Sequence, residues 1–530
     1  MIISITERCQ KVWQCCSENT KQSIRTIATR TGIPKSSVAR HRIAIKNRQQ
    51  YPESHLWETP EGQAWLRLLV FGVIYCFGIK GGIGADSLSV FFHLLNLEKQ
   101  IGCSASALRQ LEVQIKEKII AYGVAQSESC KGETPISICV GGDETFFGLP
   151  ILVAIELASG FIFTEAKCEN RTYATWWEQV SVWFNSEQWN CRILVSDGAK
   201  ALVKLAISGL GCASVPDLFH LLHGLSKSMG TAIARQRMQL QKQEHTLQEQ
   251  MKVSPSHQGN SQILHLQTQL LSLETDHQDY QESLHILSQT IHPFSLKTGE
   301  AQLGLELPAK LQVPLATLTR LSQTYAQTTS QAALTRWQQQ IPALSNALHA
   351  WWLWVMESLA AQTQNSDTQD WVLTCLLPWV YWHQQTEKTR TPQLKQSYQK
   401  ATQQAHKRFL ADSFSQSLSD LQKQQWIDWA LWMCAKFQRT SSSVEGRNGY
   451  LSALHHSNRG FTEQTLKVLT IIHNFDLKRD DGTTAAQRLF SKPFPDLFES
   501  IVLNMGELPR PRQSLKVPKP KTLTVHSVPS

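Results

Sequence analysis

The sequence predicts a multidomain chain of the α/β plus all-α class, in which one mixed sheet carries a helical region ahead of it and a large helical insertion. Three observations predict this. Runs that read as strands are confined to residues 136–219, helical patterns precede them and fill residues 303–435, and 530 residues exceed what one ordinary core organises. At 42% hydrophobic residues the chain is excluded from the mostly disordered class, and two to four domains are expected. The expected segments are a helix-turn-helix domain at 1–50, a second helical domain at 51–130, and a sheet domain beginning at 131–224. A helical insertion at 225–435, the second part of the sheet domain at 436–500 and a basic Pro-rich tail at 501–530 complete the chain.

The first element is "SIRTIATRTGIPKSSVARHRIAI", residues 23–45. Ile24, Ile27 and Ala28 make one apolar face, "TGI" breaks the helix, and Pro34 is tolerated in the first turn of the next. The inner face of that second helix would be Val38, Ile43 and Ala39. In a helix-turn-helix, Lys35, Ser36, Ser37, Arg40, His41 and Arg42 would ring the helix that enters the major groove. A plain helical hairpin with a solvated charged face is the competing reading. Charge favours the first: residues 1–50 carry ten Lys/Arg against two acids, and 501–530 carry five against one, within a net charge of +9. The stretch "AWLRLLVFGVIYCFGI" (64–79) contains Arg67 and falls short of the roughly 20 residues that cross a bilayer, so it reads as a core helix. Residues 84–115 form a second helix-turn-helix-like unit, with Asp86 and Ser104 as caps, which suits packing as well as DNA reading. Twelve cysteines without a CxxC pair or a preceding signal peptide read as reduced cytosolic thiols, not as a zinc site.

The texture changes at residue 136. "ISICV" (136–140) is a short strand followed by "GGDETFF", and "ILVAIELASGFIFTEAK" (151–167) is a hairpin turning at Ser159-Gly160. "RTYATWWEQVSVWF" (171–184) has helical spacing of Trp176, Val180 and Phe184; "CRILVSD" (191–197) is a strand, "GAKALVKLAISG" a helix, and "ASVPDLF" (213–219) a last strand or turn. Three strands, a helix, a strand, a helix and a strand make a ribonuclease-H-like layout. Its first and fourth strands are neighbours, so Asp143 and Asp197 would emerge together. Glu144, next in line, would face the other way. Carboxylates a few Å apart repel unless divalent cations lie between them, and hard oxygen ligands favour Mg2+, with Mn2+ as a substitute. Two such ions serve phosphodiester cleavage and strand transfer, and a third acid is needed to hold them.

"GGDETFFG", "LVSDGAKAL", "PDLFHLLHG" and, much later, "RTSSSVEGRNGYLSALHH" (439–456) resemble, in this order, the motifs of bacterial insertion-sequence transposases of the DDE type. The resemblance covers roughly residues 136–225 and 425–490. It implies that Asp143, Asp197 and Glu445 are the catalytic metal ligands for two Mg2+ ions, and that Asp217 and His220 lie beside them. There the latter pair would orient metal-bound water or phosphate; capping and packing is their alternative. A helix starting near Ser443 would put Glu445 in its first turn, with Arg447 and Asn448 close enough to contact DNA. The arginine-before and lysine-after pattern of some relatives is not reproduced, since no lysine follows Glu445 until Lys467. Glu445 follows Asp197 by 248 positions, which an insertion accounts for.

Within the insertion, "VSPSHQGNSQ" (253–262) reads as an exposed connection, and Trp337, Trp351, Trp352, Trp354, Trp371, Trp379 and Trp382 read as core filling, with stacking on an unpaired base as the alternative for an exposed indole. Residues 474–502 resemble a terminal segment of related uncharacterised transposase-like proteins, with Thr483 or Thr484 capping a helix that carries Ala486, Leu489 and Phe490. The function expected is transposition: cleavage at transposon ends and transfer of the 3'-hydroxyl into target DNA. A domesticated, inactive DNA-binding protein and a metal-dependent nuclease are the alternatives. Double-stranded DNA is the expected partner, a homodimer or higher assembly the expected state, and the bacterial cytoplasm, at the nucleoid and away from membranes, the expected place.

Overall fold

Val12, Cys15, Ile27, Ile33 and Val38 gather three helices around one small core: α1 (Ile5–Glu18), α2 (Ile24–Thr31) and α3 (Lys35–Arg48). The structure is a computed structural model that describes residues 5–19, 21–48, 59–132, 134–185, 187–325, 328–457 and 460–511. Ser23 caps α2 by accepting the Thr26 amide at 3.1 Å, and Gly32 ends it at φ 68°, a left-handed backbone that glycine adopts without a Cβ penalty. Two details depart from the sequence reading. The turn is built on a third helix, α1, and Ile43 is 62% exposed, while Ile45 packs on the core in its place. Seven positions from Val38 return to the same helical face, whereas five turn to the far side.

Thr59 caps α4 (Pro60–Val73), which continues through a wide π turn to Lys80. That helix of 21 residues is longer than the apolar run suggested, and among the described residues it alone is long and apolar enough to cross a membrane; half of its apolar window is buried. Its Arg67 donates to the carbonyls of Val502 and Met505 at 3.1 and 3.0 Å. Gly84, not Asp86, occupies the cap of α5 (Ala85–Leu94); Asp86 pairs instead with Arg109 of α6 (Ala105–Ser129), which Ser104 caps.

The sheet has five strands: β1 (Ile136–Phe147), β2 (Leu149–Glu156), β3 (Ile162–Lys167), β4 (Trp189–Ser196) and β5 (Ala213–Pro216), in the order β3-β2-β1-β4-β5. The first three are antiparallel, while β1, β4 and β5 run parallel. β1 is longer than expected because pairing with β2 carries it through the Gly-Gly to Phe147, so Asp143 lies inside the strand opposite Val153. Helix α7 (Tyr173–Phe184) covers one face with Trp176 and Val180, and α8 (Lys200–Lys204) follows β4. β5 stops at Pro216, and Asp217 caps α9 (Leu218–Leu225).

The insertion is entirely helical in its described residues apart from one isolated bridge: α10 (Thr231–Val253), α11 (His257–Thr290), α12 (Leu307–Thr324), α13 (Thr328–Gln362), α14 (Ser366–Trp371), α15 (Leu377–Lys388), α16 (Pro392–Ala411), α17 (Ser413–Ser417) and α18 (Asp420–Ala435). The connection expected over 253–262 is only residues 254–256, because Ser256 caps α11 through the Gly259 amide at 3.0 Å. Six of the seven crowded tryptophans are buried, and Trp379, half-buried, stacks on His406. Four of them donate their indole N–H to internal acceptors, as Trp337 does at the Leu221 carbonyl (3.0 Å) and Trp352 at the Gln302 carbonyl (2.8 Å), while the buried Trp382 indole has none, and the packing fits core filling.

The chain then returns through α19 (Ser442–His456), α20 (Glu463–Phe475), α21 (Ala485–Phe490) and α22 (Leu497–Asn504). It divides into two compact units, one of Met1–Cys130 with Leu454–Ser530 and one of Lys131–Ala453. In the first, Tyr122 of α6 donates to the Pro495 carbonyl at 2.6 Å, and Ile471 of α20 lies so close to Gly123 that a Cβ there would meet it at 2.5 Å. Residues 84–115 span α5 and the first part of α6. Thr484, not Thr483, caps α21. The tail beyond residue 511 lies outside the described residues.

Candidate functional site

β1 and β4 set the site. Their parallel register pairs Gly141 with Val195, and continuing it by two residues brings Asp143 level with Asp197 at the end of β4. Strand alternation sends Glu144 to the opposite face, where it accepts the Trp176 indole N–H at 3.3 Å and pairs with Arg171 at 3.5 Å. Asp197 is followed by Gly198 at φ 82°, and its Oδ1 accepts the Ala199 amide at 2.8 Å, turning the chain into α8. Arg336 of α13 donates to the Asp197 carbonyl.

The third acid arrives by a different route. After the insertion the chain crosses the sheet from Lys436 to Asn448, and buried carboxylates hold it down at three points. Lys436 pairs with Glu156 at the end of β2 at 3.2 Å, and this cation, with the Ser159 amide, holds the Glu156 carboxyl below its ordinary range although burial alone would raise it. Asp217, 1% exposed, accepts the Phe219 and His220 amides on Oδ1 and both the amide and hydroxyl of Ser441 on Oδ2. Arg447 makes a two-pronged pair with Glu165 of β3, at 2.6 and 2.8 Å. Between these points Val444 rests on Gly141, where a Cβ would meet it at 3.0 Å, so a side chain at 141 would lift α19 from the strand. Sequence reasoning missed Lys436, Glu156 and Glu165, whose partners lie 280 or more positions away.

Glu445 sits in the first turn of α19 with Oε1 3.5 Å from His220 Nε2, and one turn later Asn448 Nδ2 donates to Asp143 Oδ2 at 3.0 Å. Among the described residues, the group of His, Cys, Asp and Glu that could enclose a metal is Asp217, His220 and Glu445, with ligand atoms within 4.8 Å of one another. That group holds Glu445 but neither Asp143 nor Asp197: those two share one strand edge, and Glu445 lies beside His220 at the start of α9. The reason is Asp217, which anchors Ser441 and so sets α19 beside α9.

The electrostatics fit a cation. Burial pushes the Asp143 carboxyl up to about 6, the charges of Glu144 and Asp197 add to this, and the Glu144 amide and His220 oppose it. Burial also raises Glu445, with the charge of Asp217, against His220 and His223. Three buried atoms, His220 Nε2, Glu445 Oε1 and Asn448 Oδ1, have no hydrogen-bond partner. Clustered acids raised by their surroundings, beside unpaired acceptors, are what a bound divalent cation would relieve.

The residues expected on DNA divide. Lys35, Ser36 and Arg40 are exposed on α3. Ser37 is buried and accepts from Arg40 at 3.3 Å, because it falls on the core side beside Val38, and Arg42 donates to the Gln22 carbonyl at 3.0 Å, tying α3 to the loop ahead of α2. Arg447 is buried in its pair with Glu165, and Asn448, half-buried, is turned to Asp143.

Residues 372–517 match a family described as of unknown function, DUF6399. No curated protein and no solved structure matches this chain.

Proposed function

We propose that this chain is a DNA transposase whose ribonuclease-H-like catalytic half is split by the helical insertion. The single observation that carries the reading is the approach of three distant segments: Asp143 in β1 level with Asp197 after β4, and α19, whose Asn448, one turn after Glu445, donates to Asp143. The strand order, two antiparallel neighbours on one side of β1 and two parallel ones on the other, supports the assignment.

In this reading Asp143, Asp197 and Glu445 would hold two Mg2+ ions, or Mn2+ in their place, and bound ions would supply activation of the attacking water or 3'-hydroxyl and charge stabilisation for the departing oxygen. The protein's own groups act by position. Asn448 orients Asp143, and Asp217 fixes both the α9 start and Ser441 ahead of the Glu445 helix. The Arg447–Glu165 pair keeps α19 on the sheet. The substrate is double-stranded DNA: water cleaves the phosphodiester at a transposon end, releasing a 3'-hydroxyl that then attacks a phosphorus of target DNA and displaces its 3'-oxygen. Lys35, Ser36 and Arg40 on α3 offer contacts to the terminal DNA. The protein works in the bacterial cytoplasm on nucleoid DNA, as a homodimer or higher assembly.

One observation favours a second reading, a catalytically silent DNA-binding protein: the Glu445 carboxyl groups with Asp217 and His220 and not with Asp143. Nicking of DNA carrying the flanks of the protein's own gene, in Mn2+, separates the two. The transposase reading expects a cut at a defined end by wild type, with Asp143→Asn, Asp197→Asn and Glu445→Gln binding but failing to cut. Binding without cutting by wild type overturns it.

A further inference from the structure

We propose that His220 is itself a metal ligand, and that with Glu445 and Asn448 it forms a nitrogen-containing site that takes a first-row transition cation such as Mn2+ in preference to Mg2+. This rests on the reading of the same region as a divalent-cation centre and adds the identity of the ion.

The argument begins with what Asp217 lacks. Both of its oxygens are engaged, one by two backbone amides and the other by the amide and hydroxyl of Ser441. An oxygen that accepts two hydrogen bonds has no lone pair left in the carboxylate plane. Of the three residues whose ligand atoms lie within 4.8 Å, His220 and Glu445 therefore remain. Their facing atoms, Nε2 and Oε1, stand 3.5 Å apart, an ion-pair contact longer than a good hydrogen bond, and neither buried atom has a hydrogen-bond partner. One cation at roughly 2.1 Å from each atom bridges such a separation at an ordinary coordination angle.

Asn448, one helical turn after Glu445 on α19, offers a third donor. Its orientation is set by chemistry: Asp143 Oδ2 accepts at 3.0 Å, so the amide nitrogen must face Asp143, and Oδ1 is left as the third buried atom without a partner. A donor set of one imidazole nitrogen, one carboxylate and one amide oxygen is unlike the all-oxygen shell that Mg2+ demands, and imidazole favours transition ions.

The test uses the full-length protein without DNA, with Mn2+ as the probe and pulsed electron paramagnetic resonance as the readout. Wild type should show nitrogen modulation from a coordinated imidazole; His220→Gln should lose it and bind Mn2+ about tenfold or more weakly, with Mg2+ binding nearly unchanged. His223→Gln should keep the signal, because His223 stacks on Phe219 and lies outside the ligand group. Asn448→Ala should keep the nitrogen signal with reduced affinity, so a folding defect in one variant does not decide the outcome. Absence of nitrogen modulation in wild type, or its persistence in His220→Gln, overturns the proposal. Nicking that depends on Asp143, Asp197 and Glu445 alongside such a result would leave the transposase reading standing. A nitrogen signal lost in His220→Gln, from a protein that never cuts, would sink that reading and keep this one.

Discussion

Burial raises the carboxyl of Asp143 from 3.8 to about 6, with Glu144 and Asp197 adding to it. The consequence for stability has a definite sign. The fold favours the neutral acid, so this stabilisation is full below pH 3.8 and gone once the pH has passed about 6. The displacement corresponds to roughly 3 kcal/mol. In EDTA, the unfolding free energy of wild type, measured by urea titration, should fall between about pH 4 and 6.5 by on the order of 2–3 kcal/mol more than that of Asp143→Asn. Saturating Mn2+ should erase the difference at the upper end. Equal pH profiles for the two proteins would show that Asp143 is not held under strain. Asp143 was legible in the sequence because an acid after an apolar run and a Gly-Gly stands out. Arg447 was misread for the opposite reason: in "SVEGRNG" it looks solvated, and only Glu165, 282 positions earlier, explains its burial.

At the scale of elements, the fit of α19 on β1 depends on a glycine. A Cβ at Gly141 would meet Leu157 at 2.5 Å and Val444 at 3.0 Å, and on the other face one at Gly142 would meet Leu202 at 3.1 Å. Gly141→Ala should therefore cost about 1–3 kcal/mol by overpacking. Because Val444 precedes Glu445, it should also lower Mn2+ affinity, read by calorimetry, while Gly446→Ala, with nothing within 4 Å of its Cβ, should not. A Gly141→Ala protein with unaltered stability and Mn2+ affinity would show that the helix has room to move. The Gly-Gly was visible in the sequence, but the partner that requires it was not: neighbours along β1 are local, whereas Val444 returns after the insertion.

On the scale of the whole molecule, the chain leaves its first unit at Cys130 and rejoins it at Leu454. The helices before residue 130 are completed by the C-terminal segment, through Arg67 to the Val502 and Met505 carbonyls, Lys80 to Asp476 at 2.9 Å, and Gly123 against Ile471. Removing residues 461–530 should therefore unfold α4–α6 and leave their amides unprotected in hydrogen exchange, while the β1–β4 amides stay protected. Protection of α4–α6 in the truncated protein would show that they fold without their C-terminal partners.

By itself the sequence determined the elements whose signals are local. Gly32 and Ile33 mark the break between α2 and α3, Gly160 the β2–β3 turn, and alternation the opposed directions of Asp143 and Glu144, because backbone preference and period-two patterning act over a few residues. The adjacency of Asp143 and Asp197 followed from the strand and helix order, a constraint of connectivity. Only the tertiary structure decided where Glu445 goes and what surrounds it. Asp217, Glu156 and Glu165 each recruit a partner from 436–447 across more than 200 positions, and the free energy of those buried pairs depends on desolvation and geometry that no local pattern encodes.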